Sequence, residues 1–286
     1  MPGSNTTQAL ISMLYSWNKA TDGSGATVRA VLFDFKKAFD LVDLHILVQK
    51  FKSYDILEGI VNRIIDFLTS RKQHVKLSNE CYSEWGNIPS SVPQGTKLGS
   101  WLFIIMINDL DLPGTELWKY VDDTIAETIE KNGHSNIQET VDDLKRKTTA
   151  DRFKINETVK SNVSRQCKEL SIRFSNSNTG FDPTIITNKE LEVVENVNVL
   201  GLNISRDLKW NTHTSVILKK SNKCLYFLSQ LKRSNVGRKE LVSFYRTFIR
   251  PVTEHACQVF HDILPDYLTK DIERIQQRAM RIIFPA

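Results

Sequence analysis

The apolar run Ala30-Val31-Leu32-Phe33 stops at an acidic residue, Asp34. Near-continuous apolar residues over this length mark a strand buried on both faces. A carboxylate at the end of such a strand must be solvated, paired or bound to a cation, so its position needs a reason. Further on, Leu117 to Val121 and Thr124 to Ile129 are two short extended runs separated by Asp122-Asp123, a two-residue hairpin pattern. Taken alone, Asp-Asp is simply a good turn. Taken with Asp34, it gives the only carboxylates placed where buried scaffolding would hold them in a cleft. Carboxylates gathered together repel unless cations bridge them, and an all-oxygen donor set suits Mg²⁺. Two such ions, about 3.5–4 Å apart, can clamp the attacking and leaving oxygens of an in-line phosphoryl transfer.

A chain of 286 residues with 41% hydrophobic and 25% charged residues can build a core without disulfide or metal staples, which excludes disordered, collagen-like and mini-protein classes. The 38 Lys and Arg against 33 Asp and Glu give +5, a mild excess that permits a polyanionic partner without demanding one. Cys81, Cys167, Cys224 and Cys257 are scattered without a C-x-x-C pair, as expected of reduced intracellular thiols. The longest strongly apolar run, Trp101 to Ile107, falls far short of the roughly 20 residues of a membrane helix. No basic-then-apolar signal segment opens the chain. An intracellular protein with no membrane partner is expected.

Periodicity places a helix on Leu10, Met13, Leu14 and Trp17, a second around Phe39, Val42, Ile46 and Leu47, and a third through Leu57, Val61, Ile64, Ile65 and Leu68. A hairpin from Gln73 to Val92, a break at Pro93-Gln94-Gly95 and a helix over Leu98 to Leu110 follow. Ser135 with Gln138 reads as a capping box opening a helix on Ile137, Val141 and Leu144. Leu170, Ile172 and Phe174 alternate as a strand, and Val197, Val199 and Leu202 suggest another. From about Thr212 the character changes to three basic helical stretches, Val216 to Leu231, Glu240 to Phe260 and Tyr267 to Ile283.

LFDFKKAFD (Leu32 to Asp40), SVPQGTKLGSWLFIIMINDL (Ser91 to Leu110) and KYVDDT (Lys119 to Thr124) occur in the order and spacing of motifs A, B and C of reverse transcriptases. With VLGLNISRDLKW (Val199 to Trp210), RPVTEHACQVF and IERIQQRAMRIIF, the whole chain resembles the reverse transcriptase of non-LTR, LINE-type retrotransposons. The resemblance implies an α+β right-hand polymerase palm with an antiparallel sheet over 1–208 and a carboxy-terminal helical thumb over 209–286. It implies RNA-directed DNA synthesis from an RNA template, a DNA primer and dNTPs, with two Mg²⁺ ions, or Mn²⁺, held by Asp34, Asp122 and Asp123. Phe39 then matches the aromatic set against the sugar of the incoming nucleotide, favouring deoxynucleotides; as a residue it also reads as an apolar face of the following helix. Gln94 and Gly95 match the motif B turn at the nucleotide, or a plain helix entry, and Tyr120 matches the motif C aromatic beside the primer end.

The family's Asn-x-x-Lys of motif D is stretched here to Asn156-Glu157-Thr158-Val159-Lys160, making Lys160 the leaving-group acid only with one residue too many. Cys167-Lys168-Glu169-Leu170 matches the block that follows. Ser100 stands where the family usually has Pro, and His45 is displaced by one from its usual place after Asp43. Only a fragment of the fingers region precedes motif A and there is no endonuclease segment, so an amino-terminally truncated copy with most of the fingers missing is expected. A remnant that only binds nucleic acid is the competing reading. Lys219, Lys220, Lys223, Lys232 and Arg233 cluster in and just after the first basic helix, as a phosphate grip on primer and template or as a solvated face. His255, Cys257 and His261 lack the spacing of a zinc site. The family context implies a ribonucleoprotein of nucleus and cytoplasm.

Overall fold

A computed structural model describes residues 5–22, 26–88, 92–93, 95–112, 114–120, 123–130, 135–156, 167–174 and 181–285; within 123–130 the only side chain described is that of Ile125. The elements run α1 (Thr6–Thr21), β1 (Thr27–Phe33), α2 (Leu44–Ser53), α3 (Glu58–Leu68), β2 (Lys72–Gln73), β3 (Gly86–Asn87), α4 (Lys97–Ile107), β4 (Leu117–Tyr120), β5 (Asp123–Glu130) and α5 (Ile137–Ala150). They continue β6 (Lys168–Ile172), β7 (Ile185–Ile186), β8 (Lys189–Glu190), β9 (Glu192–Val194), β10 (Asn196–Val199), β11 (Leu202–Ser205), α6 (Asn211–Arg233), α7 (Arg238–Phe244), α8 (Arg250–Glu254), α9 (Cys257–Phe260) and α10 (Asp266–Ile283). A five-stranded sheet has the order β4-β5-β1-β6-β9, which places β1 at its centre.

By its contacts the chain divides into two compact units, one of Arg29–Glu169 with Thr179–Glu192, the other of Met1–Val28, Leu170–Asn178 and Val193–Ala286. In the first, Val31 and Phe33 of β1 pack with Ile137, Val141 and Leu144 of α5, residues spaced to share one helix face. A separate apolar cluster joins Leu47 and Phe51 of α2, Val61 and Leu68 of α3, and Leu102, Phe103 and Met106 of α4. The buried guanidinium of Arg29, in β1, donates to both carboxylate oxygens of Glu169 at 2.6 and 3.0 Å, to Thr184 Oγ1 at 2.9 Å, to the Asp182 carbonyl at 3.2 Å and to Ser135 Oγ at 2.9 Å. In the second unit α6 and α10 pack through Leu225, Leu228, Ile275, Ala279 and Ile283.

Several expectations change in detail. The second helix starts at Leu44, because the Asp43 carboxylate accepts the His45 and Ile46 N–H groups and caps it; Phe39 lies in the preceding turn and Val42 in the irregular link after it. No capping box forms at α5, because Gln138 exchanges two hydrogen bonds with the backbone of Ile185 and Ser135 receives Arg29. The Val197 to Leu202 pattern is a hairpin of two strands, with Val199 opposite Leu202. Phe174 is exposed beyond the end of β6. The Glu240 to Phe260 stretch is broken. A π-turn at Tyr245–Ile249 precedes Pro251, whose ring denies the helix a donor, and Ala256 takes a left-handed φ of 49° between α8 and α9. None of the four cysteines forms a disulfide. Among the described residues no helix is long and apolar enough to cross a membrane.

Candidate active site and nucleic-acid contacts

Buried β1 delivers Asp34 to its carboxy-terminal end, where the side chain is half-buried. Beyond the strand the chain stays paired: Lys36 N–H donates to the Lys154 carbonyl and Asn156 N–H to the Asp34 carbonyl, both at 2.8 Å, around a bridge between Phe35 and Ile155. This extension brings the Asn156 side-chain amide to Asp34 Oδ2 at 2.7 Å. The other carboxylate oxygen has no hydrogen-bond partner among the described residues. One oxygen fixed and one free is the arrangement in which an outer hydrogen bond orients a metal-binding carboxylate. Sequence reading placed Asn156 in a stretched motif but missed this contact, since the paired segment is too short and too polar to show as an apolar pattern.

The hairpin β4–β5 pairs Leu117 with Ala126, Trp118 with Ile125, Lys119 with Thr124 and Tyr120 with Asp123. Asp123 is thus the first residue of β5 rather than the second residue of the turn. Asp122, Gln94 and Lys160 lie outside the described residues, as does the Asp123 side chain. What the fold brings together is Asp34, at the end of β1, and the neighbouring strand that opens on Asp123. Among the described residues no group of three His, Cys, Asp or Glu side chains gathers at metal-binding range.

Lys119 is a residue the sequence reading passed over. Its ammonium donates to the carbonyls of Ile107, Asn108 and Leu110 at 3.1, 3.0 and 2.7 Å, satisfying the carbonyl end of α4 and tying it to β4. Burial pulls the Lys119 pKa below its ordinary value, against the raising effect of Asp111 and Asp109. Tyr120, next along, is exposed.

Phe39 stacks on Phe103 of α4 with centroids 4.9 Å apart, and its carbonyl accepts the Val92 N–H. Gly95 is exposed with φ +85°, a conformation that favours glycine. Gly99 carries a tighter constraint. A Cβ there would sit 2.1 Å from the Pro93 carbonyl oxygen, because Thr96 caps α4 by accepting the Gly99 N–H and folds the turn onto the helix. Resemblance drew attention to Gly95; the close approach at Gly99 leaves no local sequence signal beyond glycine itself.

Two basic regions accompany these groups. A cavity of about 750 Å³ is lined by Lys36, Lys145, Arg152, Lys154 and Lys189 over Phe153 and Ile155. Of these cations only Arg152 has a carboxylate partner among the described residues, Asp43 at 2.6 Å. On α6, Lys219, Lys220, Lys223 and Arg233 are exposed and Lys232 is half-buried, while exposed Tyr226 and Phe227 follow the lysines at helical spacing.

The sequence matches no curated protein. Among solved structures, apo telomerase from Candida tropicalis superposes with a TM-score of 0.50 at 12% identity over 98% of this chain and 51% of that one. The same organism's telomerase with a TWJ fragment of telomeric RNA gives 0.48 at 12% identity over 98% and 47%. A form truncated from the C-terminal domain gives 0.47 at 14% identity over 71% and 39%. The chain spans between about two fifths and a half of these telomerase chains, and at such identity the first of these likenesses is one of fold. Residues 210–250 match the family model for the N-terminal region of alkylated DNA repair protein alkB homolog 8. Residues 2–204 match that for reverse transcriptase, the RNA-dependent DNA polymerase, and with the mixed helix-and-sheet fold this places the chain in the reverse transcriptase family.

Proposed function

We propose that the chain synthesises DNA on an RNA template as the reverse transcriptase of a non-LTR retrotransposon. In this reading residues 1–208 form the palm and 209–286 the thumb, and Asp34, Asp122 and Asp123 hold two Mg²⁺ ions. The observation that carries the reading is the Asp34 carboxylate. It stands at the end of the central buried strand, anchored through one oxygen by Asn156, beside the strand that opens on Asp123. An all-oxygen donor set with a carboxylate oxygen left unbonded among the described residues fits Mg²⁺, which binds through one or two carboxylates and substrate phosphates. Bound there, Mg²⁺ would lower the pKa of the primer 3′-hydroxyl and neutralise charge on the leaving pyrophosphate.

The chain's own residues do the positioning. Asn156 keeps the Asp34 carboxylate in one orientation. Phe39, backed by Phe103, sets a rigid ring against the nucleotide sugar, while the turn of Gln94 and Gly95 brings backbone close to base and template. Tyr120 meets the primer end, and Lys160 supplies a proton to the leaving group. Lys36 and Lys154, on the paired segments that carry Asp34 and Asn156, add positive potential for polyphosphate, and the α6 lysines grip the duplex backbone.

The test is primer extension on an RNA template with dNTPs and Mg²⁺, comparing the 286-residue chain with Asp122→Asn at matched thermal stability. Extension by the parent and a loss of at least about 100-fold in the variant is expected. Equal extension by both overturns the carboxylate assignment. No extension by the parent, with salt-sensitive template binding retained, makes the chain a nucleic-acid-binding protein instead.

A further inference from the structure

The β2–β3 hairpin reaches away from the apolar cluster of its unit on exposed residues. Lys72 pairs with Asn87 and Gln73 with Gly86; nearer the tip, Lys76 bridges to Tyr82 and Leu77 N–H donates to the Cys81 carbonyl. The residue offset between these pairs changes by one, so the second strand carries one extra residue between Tyr82 and Gly86. Strand alternation sends His74 and Lys76 to one face and Gln73, Val75 and Leu77 to the other.

On the first face three rings are already assembled. His74 stacks on Trp85 with centroids 3.9 Å apart and lies 4.9 Å from Tyr82, while the Lys76 ammonium sits 5.5 Å from the Tyr82 centroid. The two large rings stay in solvent, Trp85 at 63% and Tyr82 at 48% exposure. Neither Lys72 nor Lys76 has a carboxylate partner among the described residues, although the hairpin holds Glu80 and Glu84. A core-forming role does not explain rings that face water. Nor does a charged solubilising edge explain their stacking.

We propose that this face binds single-stranded nucleic acid, with Trp85 and Tyr82 stacking on bases and Lys72 and Lys76 neutralising backbone phosphates. Aromatic faces accept any base, and lysines beside them track the backbone, which is the recipe for sequence-tolerant single-strand binding. Duplex offers no free base faces and gains only the charge contribution. Rings that are pre-stacked lose little freedom on binding, which favours base insertion at the exposed face of Trp85.

The inference is separable from the polymerase reading, because it is read by binding alone. Fluorescence anisotropy with labelled 20-nucleotide oligo(U) and oligo(dT), against a blunt RNA–DNA duplex of the same length, is measured on the 286-residue chain. Trp85→Ala is expected to weaken both single strands by about tenfold and the duplex by less than twofold, with Trp85→Phe recovering most of the loss. Lys72→Gln with Lys76→Gln is expected to lower the single-strand salt slope by about 1.4, or about 0.7 for each phosphate left without its lysine. Unchanged single-strand affinity in Trp85→Ala, or an equal loss on duplex, overturns the proposal. A parent that binds through Trp85 but extends no primer leaves the platform standing and removes the polymerase. A parent that extends primer while Trp85→Ala binds normally does the reverse.

Discussion

Replacing Glu169 by leucine is expected to be among the most damaging single changes in the chain, although Glu169 touches no proposed substrate. The Arg29 guanidinium is 3% exposed and Glu169 1%, with two direct hydrogen bonds between them and a third from Thr184 Oγ1 to the same carboxylate at 2.6 Å. Without the carboxylate, Arg29 loses both of its hydrogen bonds to Glu169, and a charge buried at the centre of the sheet loses that counter-ion. Breaking a buried pair from one side costs about 3–5 kcal/mol, a fifth or more of the roughly 5–15 kcal/mol that ordinarily holds a domain folded. At about 2–4 °C per kcal/mol, melting should fall by about 10 °C. The double replacement Arg29→Met with Glu169→Leu removes both charges and substitutes side chains of similar volume. It should recover most of the loss, because the favourable attraction and the desolvation cost disappear together. Urea unfolding of the parent, both single variants and the double variant, followed by circular dichroism, gives the coupling energy directly. A Glu169→Leu loss below about 1 kcal/mol, or a double variant no better than the single, would refute the reasoning.

Three further outcomes are expected. Asn156→Ala should leave the fold intact but free the Asp34 carboxylate to rotate, raising the Mg²⁺ needed for half-maximal primer extension by about 10-fold; an unchanged Mg²⁺ titration would remove Asn156 from a positioning role. Gly99→Ala should cost roughly 1–3 kcal/mol, since its methyl would overlap the Pro93 carbonyl, and more than Gly95→Ala, which strains only a positive φ; equal melting of the two variants would contradict the close approach. His213 is buried, accepts the Asn203 N–H through Nδ1 and is lowered to a pKa of about 4 by burial, with His255 and Lys220 adding to the effect. It stays neutral in the folded chain while the unfolded chain takes up a proton below about pH 6.5, so its contribution is full above pH 6.5 and is lost as pH falls towards 4. His213→Gln should flatten melting temperature against pH across that window.

Much of the fold was legible because it rests on apolar spacing. Leu10, Met13, Leu14 and Trp17 are buried on α1, β1, α3 and α4 lie where their patterns put them, and β4 and β5 pair as a hairpin with β5 opening one residue early, on Asp123. What sequence spacing could not show depends on partners distant in the chain. The capping box at Ser135 and Gln138 fails because Arg29 and Ile185 compete for the same side chains, and neither competitor is local. The long helical pattern from Glu240 breaks where Pro251 and Ala256 impose backbone geometry that apolar periodicity does not register. In the sequence Asp34 and the Asp122-Asp123 pair stand out beside apolar runs, whereas the contacts of Asn156, Lys119 and Gly99 arise only across the fold.

The lysine three residues before Asp122 has one more consequence. An ammonium free to swing would settle beside the nearest carboxylate as a built-in counter-ion, and an incoming divalent ion would have to displace it. Lys119 is not free: three carbonyls of the α4 terminus absorb its donors. Its charge is spent on the carbonyl end of α4, so Lys119 acts as a fastener between helix and β4 instead of as a counter-ion that a divalent cation would have to displace.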